Sequence, residues 1–222
     1  MNESGPPLKS RRLWAKRKDR CLAILERALL RLRDENNLPE AEVDINRRLY
    51  WCLLSASREL NPKDDIPPTS ECNNQPDPDD QSRVTREQKR PDFQWNFLDH
   101  YEPDPHRSSK QFVVECKRLG KASRANWVLN LNYVNHGISR FRDKEWAYAQ
   151  RFPNGAMVGY WQSMESKQVL NEVNAECRNK SLPELVSIGI QSNGKISHLN
   201  HVFDRPFDIS PFELRHLWVD FR

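Results

Sequence analysis

The sequence lacks several features that mark common classes of protein. No run approaches the roughly 18 to 20 apolar residues of a membrane-spanning helix, and the opening "MNESGPPLKSRR" holds no apolar stretch typical of a secretory signal. The seven glycines are scattered and form neither GxxxxGK nor GxGxxG, which argues against the usual phosphate-binding loops. These absences predict a soluble cytoplasmic protein, away from membranes, in which any ATP-driven step needs a separate partner.

Cysteine is too sparse and scattered to indicate a cross-linked or zinc-bound fold. The five cysteines are an odd number, widely spaced, and none belongs to a CxxC pair, so free thiols in a reducing compartment are expected. His198, His201 and His216 offer an alternative zinc set. His198 and His201 lie three residues apart in a stretch with strand character, however, so their side chains should face opposite sides of a sheet, which disfavours zinc.

Positive charge is concentrated near the amino terminus. The chain has a formal net charge of +4, and residues 9–20, "KSRRLWAKRKDR", hold seven Lys or Arg against one Asp. Such a run favours contact with phosphate groups or, about equally, forms a solvated helix face. The candidate nucleic-acid contacts in this run are Arg11, Arg12, Lys16 and Arg17.

Hydrophobic periodicity divides the chain into a helical start and a longer mixed part. It predicts helices over about 11–34 and 40–60, followed by a Pro- and Asp-rich loop at 61–82. The remainder predicts strands at 92–98, 110–117, 155–162, 184–192, 195–203 and 212–221, helices at 123–150 (broken near Gly137) and 164–180, and a hairpin turn at Asn193-Gly194. We therefore expect an α/β (α+β) fold with a mixed central sheet flanked by helices, as one domain at 40–222 preceded by a basic N-terminal helical extension at 1–39.

Charged residues end one of the apolar strands. In "FVVECK", side chains alternate, so Glu115 and Lys117 share one face while the opposite face stays apolar. Asp92 begins the preceding strand, and an antiparallel hairpin would bring its carboxylate opposite Glu115. Two carboxylates suit Mg²⁺ or Mn²⁺, and an adjacent ammonium can orient a water or stabilise a charged transition state. A structural salt bridge is the alternative interpretation of this pair.

A third carboxylate comes from the second predicted helix. At about 100° per residue, Glu42 lies on the same stripe as Ile45, Leu49 and Leu53, which should face the core. An acid on that stripe indicates a member of the same site. The alternative is that Glu42 only favours the dipole at the start of its helix.

These residues carry a family resemblance. Pro91-Asp92, 22 intervening residues and then Glu115-Cys116-Lys117 resemble the motif of the PD-(D/E)XK nuclease superfamily, also called restriction-endonuclease-like. That resemblance implies a core of a helix, a three-stranded antiparallel unit, a helix and a further strand, covering residues 40–163, with additional C-terminal strands outside it. It also implies that Asp92, Glu115, Lys117 and Glu42 are catalytic, with Asp92 and Glu115 binding the metal. The phrases "ECKRLG", "NYVNHGISRFRDKEWAYA" and "GAMVGYWQSM" are similar to small nucleases of bacterial anti-phage or mobile-element loci.

The resemblance implies a divalent-metal-dependent endonuclease that hydrolyses phosphodiester bonds of DNA within a bacterial defence complex. Tyr133 and Arg140, in the predicted helix after Lys117, are further candidate phosphate contacts, although Arg140 on a solvated ion-paired face is an open alternative. Trp127 and Trp146 are expected in the core rather than as stacking platforms. RNA as substrate and a non-catalytic nucleic-acid-binding or assembly subunit both stay open. So do a regulatory or ATPase partner and a homo-oligomer.

Overall fold

Two long helices form one layer of the fold. The structure, a computed structural model, describes residues 8–60, 66–76, 79–124, 126–191, 194–206 and 209–222. Helix α1 spans Leu8–Arg33 and helix α2 spans Glu42–Leu60, and the two helices pack against each other. Apolar residues at three- and four-residue spacing explain this contact, because they place one continuous stripe of each helix in the core. The buried residues of α1 are Cys21, Ile24, Leu25, Ala28, Leu29 and Leu32, and those of α2 are Ile45, Leu49, Cys52, Leu53 and Ala56.

A single mixed sheet of seven strands forms the second layer. The strands are β1 (Thr69–Ser70), β2 (Phe93–Leu98), β3 (Ser109–Leu119), β4 (Asn154–Trp161), β5 (Val186–Gln191), β6 (Ile196–Phe203) and β7 (Phe212–Asp220). Their order across the sheet is β1-β2-β3-β4-β7-β6-β5. The three central strands β3, β4 and β7 run parallel, and the pairs toward both edges are antiparallel.

Shorter helical segments cover the opposite face of the sheet. These are α4 (Leu129–Tyr133), a π-helical turn at Val134–Ile138 that we call the π segment, α5 (Ser139–Arg142) and α6 (Ser166–Asn179). The alternation of side chains along β4 separates the two faces: a Cβ added at Gly155 would lie 2.8 Å from Phe141 of α5, whereas the Tyr160 hydroxyl reaches Asn46 of α2. A short helix α3 (Arg83–Glu87) and a 3-10 turn at Pro105–Arg107 complete the described elements.

The N-terminal helix belongs to the same core as the sheet. Its six buried residues fall in one hydrophobic cluster with those of α2 and the central strands. The hydrophobic core is therefore continuous across the predicted boundary between an extension at 1–39 and a domain at 40–222.

The long predicted helix at 123–150 is confirmed only from Leu129 to Arg142, with the π segment at the predicted break near Gly137, and is wrong before and after that range. After α5 the chain turns repeatedly, and Ala147 and Ala149 adopt left-handed conformations with φ of 46° and 52°. The buried guanidinium of Arg205 donates hydrogen bonds to the carbonyls of Tyr148 (3.1 Å), Ala149 (2.9 Å) and Phe152 (2.9 Å). Since these carbonyls have a buried partner in the guanidinium, the segment needs no helical hydrogen bonds to be satisfied.

Two predicted connections fall partly outside the described residues. In the predicted loop at 61–82, residues 61–65 and 77–78 lie outside them, while Thr69–Ser70 pairs with β2 and the buried Asn74 side chain donates to the Trp146 carbonyl at 2.6 Å. The predicted turn at Asn193-Gly194 includes Asn193, which is not described, but β5 and β6 on either side pair antiparallel as that turn requires. Across the part of the chain that the structure describes, no helix is both long enough and apolar enough to cross a membrane.

Candidate active site

The antiparallel pairing of β2 with β3 brings the predicted acids together. Phe93 pairs with Val114, so Asp92, one residue earlier, lies beside Glu115 on the neighbouring strand. The predicted antiparallel arrangement is confirmed. The Asp92 carboxylate also accepts a hydrogen bond from the backbone N–H of Cys116 at 2.6 Å, which anchors it at the end of the strand pair.

Glu115 is a fully buried carboxylate whose two oxygens differ. Its Oε1 atom pairs with the Lys117 ammonium at 2.9 Å and also with the guanidinium of Arg140. Its Oε2 atom is buried and has no hydrogen-bond partner among the described residues. A buried carboxylate oxygen in that state is costly unless something binds it, so Oε2 is a candidate ligand atom.

Lys117 links the strand to α2. Its ammonium contacts Glu42 Oε1 at 2.9 Å, Glu115 Oε1 at 2.9 Å and the carbonyl of Cys116 at 2.7 Å. Burial lowers the pKa of this ammonium, but the charges of Glu115, Asp92 and Glu42 outweigh burial and hold the pKa well above its usual range. Lys117 is therefore a fixed positive charge, and it can donate hydrogen bonds but cannot act as a base in this state.

Glu42 joins the group from the first turn of α2. Its second oxygen, Oε2, accepts a hydrogen bond from the backbone N–H of Arg118 at 3.2 Å, and its side chain is 31% exposed. The helical stripe that pointed Glu42 toward the core is thus confirmed. The residue also occupies the first turn, where an acid favours the helix dipole, so both interpretations of Glu42 describe real features.

Asp92 is held in an environment that disfavours its charge. Burial first, and then the negative charge of Glu115, raise the pKa of the Asp92 carboxyl to about 8. A concentration of carboxylates of this kind is relieved when a cation binds between them. Asp92, Glu115 and Glu42 thus form an electrostatically coupled group, with Lys117 as its resident positive charge.

Two residues of this site were missed by sequence reasoning. The Tyr160 hydroxyl donates to Asn46 Oδ1 at 2.7 Å, and Asn46 Nδ2 donates to Asp92 Oδ1 at 3.0 Å. Asn46 therefore orients the carboxylate, and Tyr160, fully buried on β4, orients Asn46. Asn46 lies four residues after Glu42 on α2, which is the local signal that would have placed it on the same helix face.

Arg140 and Tyr133, both predicted to contact phosphate, are engaged inside the protein. The Arg140 guanidinium pairs with Glu115 and lies 4.2 Å from the centre of the Trp146 ring. Tyr133 is fully buried, and its hydroxyl contacts His216 Nδ1 at 2.8 Å and accepts from Trp218 Nε1 at 3.0 Å. We therefore correct the prediction for Tyr133, because its hydroxyl cannot reach a ligand at the surface.

The basic residues of α1 lie far from the carboxylates. The Arg17 guanidinium donates to the carbonyl of Leu98 at 3.3 Å, at the opposite end of β2 from Asp92. At about 3.3 Å per residue, the length of β2 separates the two regions by roughly 20 Å. Arg12 and Lys16 are exposed there, as is Arg11, so this surface and the carboxylate group are two distinct regions.

The site offers two carboxylates as possible ligands for a divalent cation. No group of three or more His, Cys, Asp or Glu side chains within the described ranges is arranged to hold a metal ion. The buried Oε2 of Glu115 and the Asp92 carboxylate nonetheless provide two hard oxygen ligands, the type that Mg²⁺ and Mn²⁺ prefer when water completes their coordination. The residues present therefore fit a two-carboxylate site.

Comparisons with protein-family models, with curated proteins and with solved structures find no match to this chain. Any functional assignment therefore rests on the residues of the site.

Proposed function

We propose that this protein is a divalent-metal-dependent endonuclease that hydrolyses phosphodiester bonds of DNA. The observation that carries the proposal is the state of Glu115, a fully buried carboxylate with one oxygen bound by two cations and the other free of hydrogen-bond partners in the described structure. Asp92 lies beside it immediately before β2, Lys117 follows it on β3, and Glu42 on α2 reaches Lys117. A salt bridge with only a structural role would need neither the third acid nor the unpartnered oxygen.

The order of elements supports the same proposal. Helix α2, the antiparallel strands β1, β2 and β3, the helical segments α4 to α5, and strand β4 follow one another in the order expected of a PD-(D/E)XK core. In the sequence resemblance, Asp92, Glu115 and Lys117 correspond to the motif residues of that family, and Glu42 corresponds to its helix acid.

Each side chain has a role in the proposed reaction. Asp92 and Glu115 would hold Mg²⁺ or Mn²⁺, and the cation when bound supplies a Lewis acid for the scissile phosphate and lowers the pKa of a bound water. Lys117 stays protonated, and its positive charge beside the scissile phosphate would stabilise the extra negative charge of the transition state. Glu42 holds the Lys117 ammonium in position, and Asn46 holds Asp92.

A non-catalytic nucleic-acid-binding or assembly subunit is the second candidate. One observation favours it: Arg140 and Lys117 together neutralise Glu115, which a purely structural ion-pair network would also do. The anti-phage setting stays a prediction that rests on the sequence resemblance alone. A regulatory or ATPase partner and a homo-oligomer stay predictions from the sequence as well.

The test is a cleavage assay on supercoiled DNA, linear DNA and RNA with Mg²⁺, Mn²⁺ or EDTA. We expect metal-dependent cleavage by the wild type and its loss in Lys117→Ala. Lys110→Ala is the matched control, because Lys110 lies on the same strand but contacts Glu102 at 3.4 Å and Asp99 at 3.7 Å, near the other end of β3. Cleavage of RNA but not of DNA would identify RNA as the substrate. Nucleic-acid binding by the wild type without cleavage would favour the non-catalytic subunit.

A further inference from the structure

A cleft with an exposed tryptophan lies beside the candidate active site. The cleft has a volume of about 550 Å³ and is lined by Arg118, Ser123, Arg124 and Trp127. Trp127 is 48% exposed, which overturns the expectation that it packs in the core. We call this group the stacking cleft.

The Trp127 ring is held in a defined orientation. Its backbone N–H donates to the Arg124 carbonyl at 2.9 Å, and the Ser123 N–H donates to the Trp127 carbonyl at 3.2 Å, so a tight turn fixes its position. The indole stacks on the imidazole of His136, with ring centres 6.2 Å apart and planes 11° from parallel. His136 contacts the ring on one side and 48% of the residue is exposed, so the indole offers surface on which a flat ligand can stack.

The stacking cleft adjoins the carboxylates through two contacts. Arg118, which lines the cleft, follows Lys117 on β3, and its backbone N–H donates to Glu42 Oε2 at 3.2 Å. Gly137, next to His136, lies so close to the active-site lysine that a Cβ added there would be 3.3 Å from Lys117 Cγ. A nucleic-acid strand whose phosphate lies beside Lys117 would therefore extend along the stacking cleft and its Trp127.

The chemistry of the lining residues identifies a class of ligand. An aromatic ring stacks on any nucleobase, and guanidinium groups beside it bind the phosphates of the same strand. A base inside a duplex is already paired and stacked between its neighbours, so only an unpaired base offers its face to a side chain. The cleft holds two arginines. Arg124 is exposed, and Arg118 is partly exposed and also donates a hydrogen bond from its guanidinium to the Glu40 carbonyl at 3.4 Å.

We propose that the stacking cleft binds an unpaired nucleobase of the strand being cleaved, so that the substrate is single-stranded or locally unpaired nucleic acid. This inference rests on the proposed function for the identity of the neighbouring site. Stacking itself is measurable without any cleavage.

The test is a binding titration in EDTA with fluorescently labelled single-stranded DNA, single-stranded RNA and duplex DNA of one sequence. We expect tighter binding of the single strands than of the duplex, and a loss of about tenfold or more in single-strand affinity for Trp127→Ala. Trp127→Phe should keep most of the affinity because it keeps a ring. Comparing single-stranded DNA with single-stranded RNA then shows which sugar the cleft prefers, deoxyribose or ribose.

Two controls isolate stacking from folding and from charge. Trp51→Ala removes an indole that is 67% exposed on α2, outside the cleft, and should bind like the wild type. A strand of abasic sugar-phosphates should bind the wild type and Trp127→Ala equally, because it has phosphates but no bases. Thermal melting of Trp127→Ala near the wild-type temperature confirms that the variant is folded.

The outcomes separate this inference from the nuclease itself. Single-strand binding that depends on Trp127, without cleavage of any substrate, would support the stacking cleft and contradict the proposed nuclease. Cleavage that is lost in Lys117→Ala but unaffected by Trp127→Ala, together with equal affinity of both proteins for single strands, would overturn the stacking cleft and leave the nuclease in place. A wild type that binds none of the three nucleic acids overturns the stacking cleft as well.

Discussion

Two buried polar groups lie on the same face of the sheet and behave in opposite ways. Glu115 on β3, Met157 on β4 and His216 on β7 are register partners in one row across the strands. Glu115 belongs to the carboxylate group with Asp92, Lys117 and Glu42. His216 belongs to a second group, which we call the histidine cluster and which consists of Tyr133, His201, His216 and Trp218.

Burial acts on both groups but leaves charge in only one of them. It lowers the pKa of His201 to about 4 and that of His216 well below its usual range, so both imidazoles are neutral at neutral pH. In the carboxylate group, Lys117 is held protonated by the acids around it and pairs with Glu115, and Glu42 connects this pair to solvent. The comparison teaches that burial of polar residues alone does not mark a functional site. Retained charge together with an exit to solvent is what makes the carboxylate group, rather than the histidine cluster, the candidate site.

The largest expected effect is a difference in DNA cleavage between variants of the carboxylate group and variants of the histidine cluster. Glu115→Gln should reduce DNA cleavage by about 100- to 1000-fold, because it removes both a ligand oxygen charge and the partner of Lys117. His216→Gln should leave the cleavage rate near the wild-type value, since the histidine cluster holds no charge near the proposed reaction. Rates under single-turnover conditions measure both, and a fully active Glu115→Gln would contradict the proposed function.

The second prediction concerns the acid stability of the histidine cluster. Because the pKa of His201 is lower in the folded protein than its ordinary value of 6.5, protonation favours the unfolded chain. The free energy of unfolding should be intact above pH 6.5 and should fall by about 3 kcal/mol as the pH drops to 4.

The variant His201→Leu isolates this contribution. Its side chain would face the same neighbours, Phe203 and His216, without a proton to bind. Urea unfolding of both proteins at a series of pH values between 4 and 7 measures the difference, and carboxylates elsewhere affect both proteins equally. Parallel curves for the wild type and the variant would show that His201 is not buried as neutral imidazole.

A smaller effect is expected from the residues that orient Asp92. Asn46→Ala removes the hydrogen bond to Asp92 without removing any ligand, so cleavage should fall about 10- to 100-fold and require more Mg²⁺. Tyr160→Phe should have a milder effect of the same kind, because it acts only through Asn46. Cleavage rates measured against Mg²⁺ concentration test this, and an unchanged metal dependence in Asn46→Ala would remove Asn46 from the site.

The smallest effect concerns the basic surface of α1, which lies remote from both groups. Replacing Arg12 and Lys16 together by Ala should weaken DNA binding and reduce the slope of log K against log salt by up to about 2, one phosphate contact per residue. Cleavage at saturating DNA should not change. Equal slopes for the wild type and the double variant would indicate that this surface meets a protein or only solvent.

Local patterns in the sequence predicted the elements that carry the carboxylate group. Alternation along β3 put Glu115 and Lys117 on one face, and the helical stripe of α2 put Glu42 toward them. The antiparallel pairing of β2 with β3 then followed from a short connection. Each of these predictions needed only the period of an element or the length of a loop.

Contacts between distant parts of the chain could not be predicted in this way. Asn46 meets Tyr160 across 114 positions, and Arg205 satisfies carbonyls more than 50 positions earlier, which turned a predicted helix into a series of turns. Arg140 pairs with Glu115 instead of facing solvent, and Trp127 lies exposed because a local turn projects it outward. In the first three cases a tertiary hydrogen bond or ion pair, which no local propensity encodes, decided the outcome, and for Trp127 a local turn did.

The two unequal oxygens of Glu115 have a thermodynamic consequence for any cation that binds there. Oε1 is anchored by two positive groups, and the buried Oε2 has lost its hydration when the protein folds. A ligand arriving at Oε2 therefore has less water to strip from the carboxylate and no rotamer to freeze, so more of its interaction energy is retained as affinity. Preorganisation of this kind makes folding itself the step that prepares the site, and a loosened fold would weaken cation binding before it exposed the core.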